Sequence, residues 1–287
     1  MENKQRPHVK SDWPFLTAMA VIGGFYIVMI LALIIADATY TTPKNFWQAL
    51  QSPEIRYSVK LSLFSCTVTT ILALIVAVPI GYLMSHYHFP GKNLLDGILD
   101  IPIVLPPLVI GLSLLILFQT PLFHYLDREV LPFTFNIFRY TVTIPSVTYE
   151  IPAVILAQFM VACAFAVRTL RTSFDQINPR QEQVALTLGC SRSQAFWRVV
   201  VPEARGGIVS AATIAWARAL GEFGPILICA GTTRMKTEVL ASTVFLELST
   251  GKIEAAVAVS LLMVFTAIVV LVIVRSFGSV KTIGRYL

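Results

Sequence analysis

Six stretches of this chain are too long and too apolar to be core helices of a water-soluble domain: Phe15–Ala36, Val59–Met84, Ile98–Phe118, Ile151–Leu170, Gly206–Ala230 and Ile253–Val274. About 20 apolar residues in a helix cross about 30 Å of hydrocarbon. In lipid, only a helix or a closed barrel satisfies its own backbone polar groups. The pattern predicts an all-α, polytopic membrane protein with about six transmembrane helices, forming one membrane domain over residues 1–287. Composition agrees: 56% of the 287 residues are hydrophobic and 13% charged, where a soluble domain carries about 25% charged residues. Mean hydropathy is +0.73.

The net charge of +6 is not read as a nucleic-acid footprint, because the basic residues sit in short loops, where they set membrane orientation. With the N-terminus inside, segments 1–14, 85–97, 168–205 and 275–287 are cytoplasmic and hold 13 Lys or Arg, against 7 in segments 37–58, 119–150 and 231–252. Both termini are therefore expected in the cytoplasm, and the protein in the cytoplasmic (inner) membrane as a multi-pass chain. Ala36-Asp37-Ala38 resembles a signal-peptidase site, but the 22-residue run before it exceeds the apolar core of a signal peptide, so a retained anchor is expected. Cys66, Cys163, Cys190 and Cys229 form no C-x-x-C pair and are read as small hydrophobes. His86 and His88 flank Tyr87 in a short loop and are read as solvated residues rather than metal ligands.

Between the fourth and fifth apolar runs lies a polar segment, about 171–205, that suits no simple bundle. Asn178-Pro179 opens it, good helix formers fill Gln181–Leu188, and Gly189 breaks the run. Ser191 then offers an N-cap, and Gln194–Val201 reads as a second short helix ending before Pro202. Glu182-Gln183-Val184-Ala185-Leu186-Thr187-Leu188-Gly189 is followed, 13 residues after the glycine, by Pro202. This resembles the EAA loop of permeases in binding-protein-dependent ATP-binding-cassette importers of the type I fold. The departures are Gln183 at the usual acid (with Glu182 adjacent), Val184 for the first alanine, and Val199 and Val201 for Ile and Leu.

The resemblance implies that the loop is a coupling helix inserted into a separate ATPase, with Glu182, Gln183, Ala185, Gly189 and Pro202 as contact or shape positions and Val184, Leu188 and Phe196 supplying apolar contact. It also implies a second permease copy as homodimer partner, two cytoplasmic ATPase subunits that bind ATP and magnesium, and an extracytoplasmic solute-binding protein. No cofactor is expected on this chain, and no enzymatic activity.

Two further runs are similar to those of molybdate permeases and their sulfate relatives: Leu105-Pro106-Pro107-Leu108-Val109-Ile110-Gly111, and Ala217-Arg218-Ala219-Leu220-Gly221-Glu222-Phe223-Gly224. The resemblance covers about residues 59–274 and points to a small tetrahedral oxyanion, molybdate or tungstate ahead of sulfate. Phosphate, iron and polyamine remain alternatives with the same loop.

Arg218 and Glu222 lie four apart and can pair on one helix face. A charge at mid-bilayer costs about 2.5–3.5 kcal/mol or more, so both are expected to face the bundle interior. They read equally as a pathway element and as a structural pair. Pro79, Pro102, Pro106, Pro107 and Pro225 interrupt apolar runs and leave carbonyls needing partners. Broken helices at such depth line substrate routes, so Pro106, Pro107, Gly111, Arg218, Glu222 and Gly224 are candidate pathway or gate residues. No G-x-x-x-x-G-K-[ST] phosphate loop, H-E-x-x-H or G-x-S-x-G run occurs, so the chain is not expected to hydrolyse ATP or carry a catalytic or metal centre. A stand-alone carrier or membrane enzyme is the remaining alternative. A carrier would show several buried carboxylates, where only Glu222 lies deep in a run.

Overall fold

A computed structural model describes residues 13–130, 134–137, 140–143 and 146–279. The charged segments 1–12 and 280–287, on which the orientation reading partly rests, lie outside the described residues. The chain runs through α1 (Trp13–Tyr40), α2 (Pro43–Gln51), α3 (Pro53–His86), α4 (Lys92–Val104), α5 (Pro107–Gln119) and α6 (Pro121–Tyr125). A π-helical turn, Leu126–Val130, and a two-stranded antiparallel hairpin, β1 (Thr134–Ile137) with β2 (Tyr140–Thr143), lead to α7 (Ile151–Asp175). Then come α8 (Pro179–Thr187), α9 (Arg192–Ala195), a π-helical turn Phe196–Val200, α10 (Val201–Glu203), α11 (Arg205–Leu220), α12 (Gly224–Cys229), α13 (Leu240–Ser249) and α14 (Ile253–Ser279). The fold is all-α as expected, apart from the small hairpin in the 119–150 segment.

Among the described residues, four helices, α1, α3, α7 and α14, are long and apolar enough to cross a membrane uninterrupted. The other two apolar runs are broken. The third bends sharply, α4 and α5 meeting at 109°. Leu105 and Pro106 are extended, with ψ of 140° and 134°, because a residue preceding proline is driven from helical geometry. Pro102 and Pro79, by contrast, sit inside continuous helices. The fifth run divides into α11 and α12 at Gly221–Phe223, just before Pro225.

The bundle is built on α3 and α7, with α11 packed against both. Its seam is small: Ala73, Ala77, Ala162, Ala166, Ala211, Ala215 and Ala219 are all buried. Small residues let backbones approach, which drives helix packing where lipid removes the hydrophobic difference. Gly81 shows how close: a β-carbon there would lie 3.1 Å from the Arg171 nitrogen and Leu170 Cβ. The α1 helix is the opposite case, with none of its apolar window buried, as suits a helix facing hydrocarbon.

Candidate functional site

Two places gather the residues singled out by sequence: the polar loop, and the crossing of the two broken helices.

The loop is a pair of short helices about a left-handed glycine. Asn178 caps α8, its side chain accepting from the Arg180 amide at 3.0 Å. Gly189 has φ +89°, a conformation open to glycine without steric cost. Ser191 and Gln194 form a capping box: the Gln194 amide donates to Ser191 Oγ at 3.2 Å and the Ser191 amide to Gln194 Oε1 at 2.9 Å. The second helix does not end before Pro202 as expected. The widened turn Phe196–Val200 carries the backbone through Val201–Glu203. A π-turn re-registers the hydrogen bonds, which removes the clash a proline ring makes in a regular helix.

The loop's predicted contact residues divide into two faces. Gln183, Val184, Leu188, Gly189 and Pro202 are exposed, Leu188 by 80%. Ala185 is buried against its own chain, so its small size serves the loop's packing. Phe196, expected to point at a partner, turns inward to meet Tyr82 edge-on with ring centroids 4.8 Å apart, and the neighbouring Trp197 is exposed. Glu182 also faces inward, accepting from the Tyr82 hydroxyl at 2.7 Å, with His86 Nε2 at 3.6 Å. His86 is thus not a solvated loop residue. The α3 helix runs past Met84 and packs it beneath the loop, with 12% of its side chain exposed.

At the crossing, the two signature runs meet. A β-carbon on Gly111 of α5 would lie 2.7 Å from Pro225 Cα, and one on Gly224 of α12 would lie 3.1 Å from Pro107 Cβ and from the Leu108 nitrogen. Gly111 and Gly224 are buried, while Pro106 and Pro107 are exposed. Beside the crossing, Arg218 and Glu222 pair at 3.1 Å. Glu222 is buried, whereas 31% of the Arg218 side chain is exposed, and its guanidinium lies 5.7 Å from the Phe165 ring centre. The pair therefore presents its cation rather than its carboxylate.

Sequence reasoning missed a buried amide that ties α7 to the end of α11 and to α3. Gln158 of α7 is buried; its amide donates to the Ala219 carbonyl at 3.2 Å, and its Oε1 accepts from Thr69 at 3.2 Å. A lone amide in an otherwise apolar run was the available signal. Also missed was the end of the bundle opposite the loop. There a basin of about 900 Å³ is lined in part by Glu54, Arg234, Glu247 and Lys252. Arg234 donates to Glu247 at 2.8 Å, and the Tyr57 hydroxyl donates to the Lys236 carbonyl at 2.8 Å, tying the segment before α13 to α3. Glu238 is buried in that segment, and burial pushes its carboxyl above the ordinary range despite the pull of Arg234.

Comparison with known proteins bears on both places. The chain is 28% identical over 255 residues to the sulfate transport system permease protein of Escherichia coli (strain K12), covering 88% of this chain and 87% of that one. It is 32% identical over 216 residues to the molybdate/tungstate transport system permease protein of Pyrococcus furiosus, covering 74% and 76%. With the molybdenum transport system permease protein of Mycobacterium bovis it shares 29% over 265 residues, covering 92% and 94%. Its fold is similar to that in the crystal structure of a bacterial alginate ABC transporter in complex with an alginate pentasaccharide-bound periplasmic protein, with a TM-score of 0.71 at 15% identity over 93% of this chain and 94% of that one. The profile of the binding-protein-dependent transport system inner membrane component matches residues 77–279, a range that holds the loop, both broken helices and the Arg218–Glu222 pair, and the chain belongs to that family.

Proposed function

We propose that this permease subunit carries a small tetrahedral oxyanion, molybdate or tungstate ahead of sulfate, by alternating access driven by a separate ATPase that docks on the 171–205 loop. The observation that carries the cargo reading is the crossing itself. The two runs shared with molybdate and sulfate permeases pack on each other at Gly111, Gly224 and Pro225, with a partly exposed arginine beside them. A buried carboxylate holds that guanidinium in place and offsets part of its charge. About a third of the arginine side chain stays exposed, which leaves room for an oxyanion to meet it. Relatives named for sulfate and for molybdate/tungstate transport support the same chemical class.

In this reading the loop end is cytoplasmic, and the basin around Arg234 faces the solute-binding protein. A second copy completes the pore, so that a symmetric dimer offers two loops to two ATPases. The test is reconstitution of the chain with its ATPase and binding protein in liposomes, followed by ATP-dependent uptake of molybdate, tungstate and sulfate, each in competition with phosphate. Uptake of the three and indifference to phosphate support the proposal. ATP-driven uptake of only phosphate, iron or a polyamine overturns the cargo, and full uptake without ATPase overturns the mechanism.

A further inference from the structure

We propose that the last turn of α3 is the receiver through which the loop's movement enters the membrane bundle, with Glu182 as the positioning residue that joins them. The inference rests on the reading that an ATPase grips the 171–205 loop. Two residues of that turn and the one just after it reach three separate parts of the loop. Tyr82 donates to Glu182 on α8 at 2.7 Å, and its ring meets that of Phe196 edge-on with centroids 4.8 Å apart. His86 lies 4.5 Å from the Tyr82 ring and 3.6 Å from Glu182. Tyr87, just past the helix, accepts from Arg192 of α9 at 3.0 Å. Both halves of the loop are thus fastened to one helix end.

That end is suited to receive a displacement. Pro79, three residues before Tyr82, removes an intrahelical hydrogen bond, so the turn beyond it can swing more readily than the body of α3. Gly81 holds the same turn against α7, which passes any swing to the second long helix of the bundle. Glu182 has a role distinct from its neighbour's: Gln183 is exposed toward a partner, while Glu182 is turned into its own chain.

The experiment uses the full complex of chain, ATPase and binding protein in liposomes, reading three quantities: ATPase retained on purification, ATP hydrolysed, and molybdate taken up per ATP. The variants are Tyr82→Phe, which keeps the ring contact, Glu182→Ala, and Glu182→Gln, which keeps an acceptor for the Tyr82 hydroxyl. Loss of one hydrogen bond to a charged acceptor predicts that Tyr82→Phe and Glu182→Ala each lower uptake per ATP about tenfold while retaining the ATPase. The double variant should be no worse than either single, and Glu182→Gln should keep most of the coupling. Unchanged uptake per ATP in Tyr82→Phe and Glu182→Ala overturns the inference, as does a double variant whose losses multiply. Release of the ATPase by Glu182→Ala alone, with Tyr82→Phe unaffected, also overturns it by making Glu182 a docking contact. Failure of the parent reading is read separately, on the unsubstituted chain: if that retains no ATPase, both ideas fall.

Discussion

Gly111 and Gly23 both lie within apolar helices, yet a methyl group would meet different surroundings at each. At Gly111 it would overlap the Pro225 backbone at 2.7 Å, where nothing flexible can yield; at Gly23 it would meet nothing within 4 Å. Overpacking of this kind costs about 1–3 kcal/mol. Gly111→Ala should therefore lower the thermal midpoint of the purified protein and its uptake, while Gly23→Ala leaves both in place; equal midpoints for the two would show that α5 and α12 do not cross this closely. The glycines of the crossing were legible in sequence only as members of a motif, because proximity to Pro225 is a fact of tertiary packing. Arg218 and Glu222 were legible as a pair from their spacing of four, although Glu222 stands past the end of α11, within the break, rather than on the helix. The inward turn of Glu182 was not, since its partner Tyr82 lies 100 residues away.

At the scale of the element, hydropathy marks where the long helices are, while proline marks a break at Pro106 and Pro225 but not at Pro79 or Pro102, and neither gives the angle of a break. The α5 helix, with 13 residues, rises only about 20 Å, short of a full crossing. Its direction is set by the extended Leu105–Pro106 hinge and by contact with α12, neither of which hydropathy reports. The loop was more readable, since its caps are local: Asn178, Gly189 and Ser191 each stand where the chain's own chemistry needs them. Ser191→Ala should test how far the capping box holds the second short helix, since losing such a cap costs about 1 kcal/mol. Amide hydrogen exchange over residues 192–200 should then quicken about fivefold, with α8 little changed. Exchange that stays at its original rate would mean that packing of Phe196 and Val200 against the bundle, rather than the cap, holds that helix.

At the scale of the molecule, exposed apolar side chains on the long helices and on the loop differ in physical meaning. On α1 and α14 they cover long helices of high hydropathy, where lipid is their solvent and no partner is required. On the loop, Val184, Leu188 and Trp197 are exposed within a segment otherwise rich in polar side chains, so lipid does not account for them. Exposed apolar side chains in a polar segment suit the docking of another protein, in line with the proposal that the ATPase docks there. Leu188→Asp separates the two settings. At a position 80% exposed, the change should shift the stability of the isolated chain by no more than about 0.5 kcal/mol. Within an interface the same carboxylate would be desolvated without a partner, and retention of the ATPase on purification should fall about tenfold or more. An intact thermal midpoint with lost retention would place the motor on this face. Retention that survives the substitution would send the search for its seat to another part of the chain.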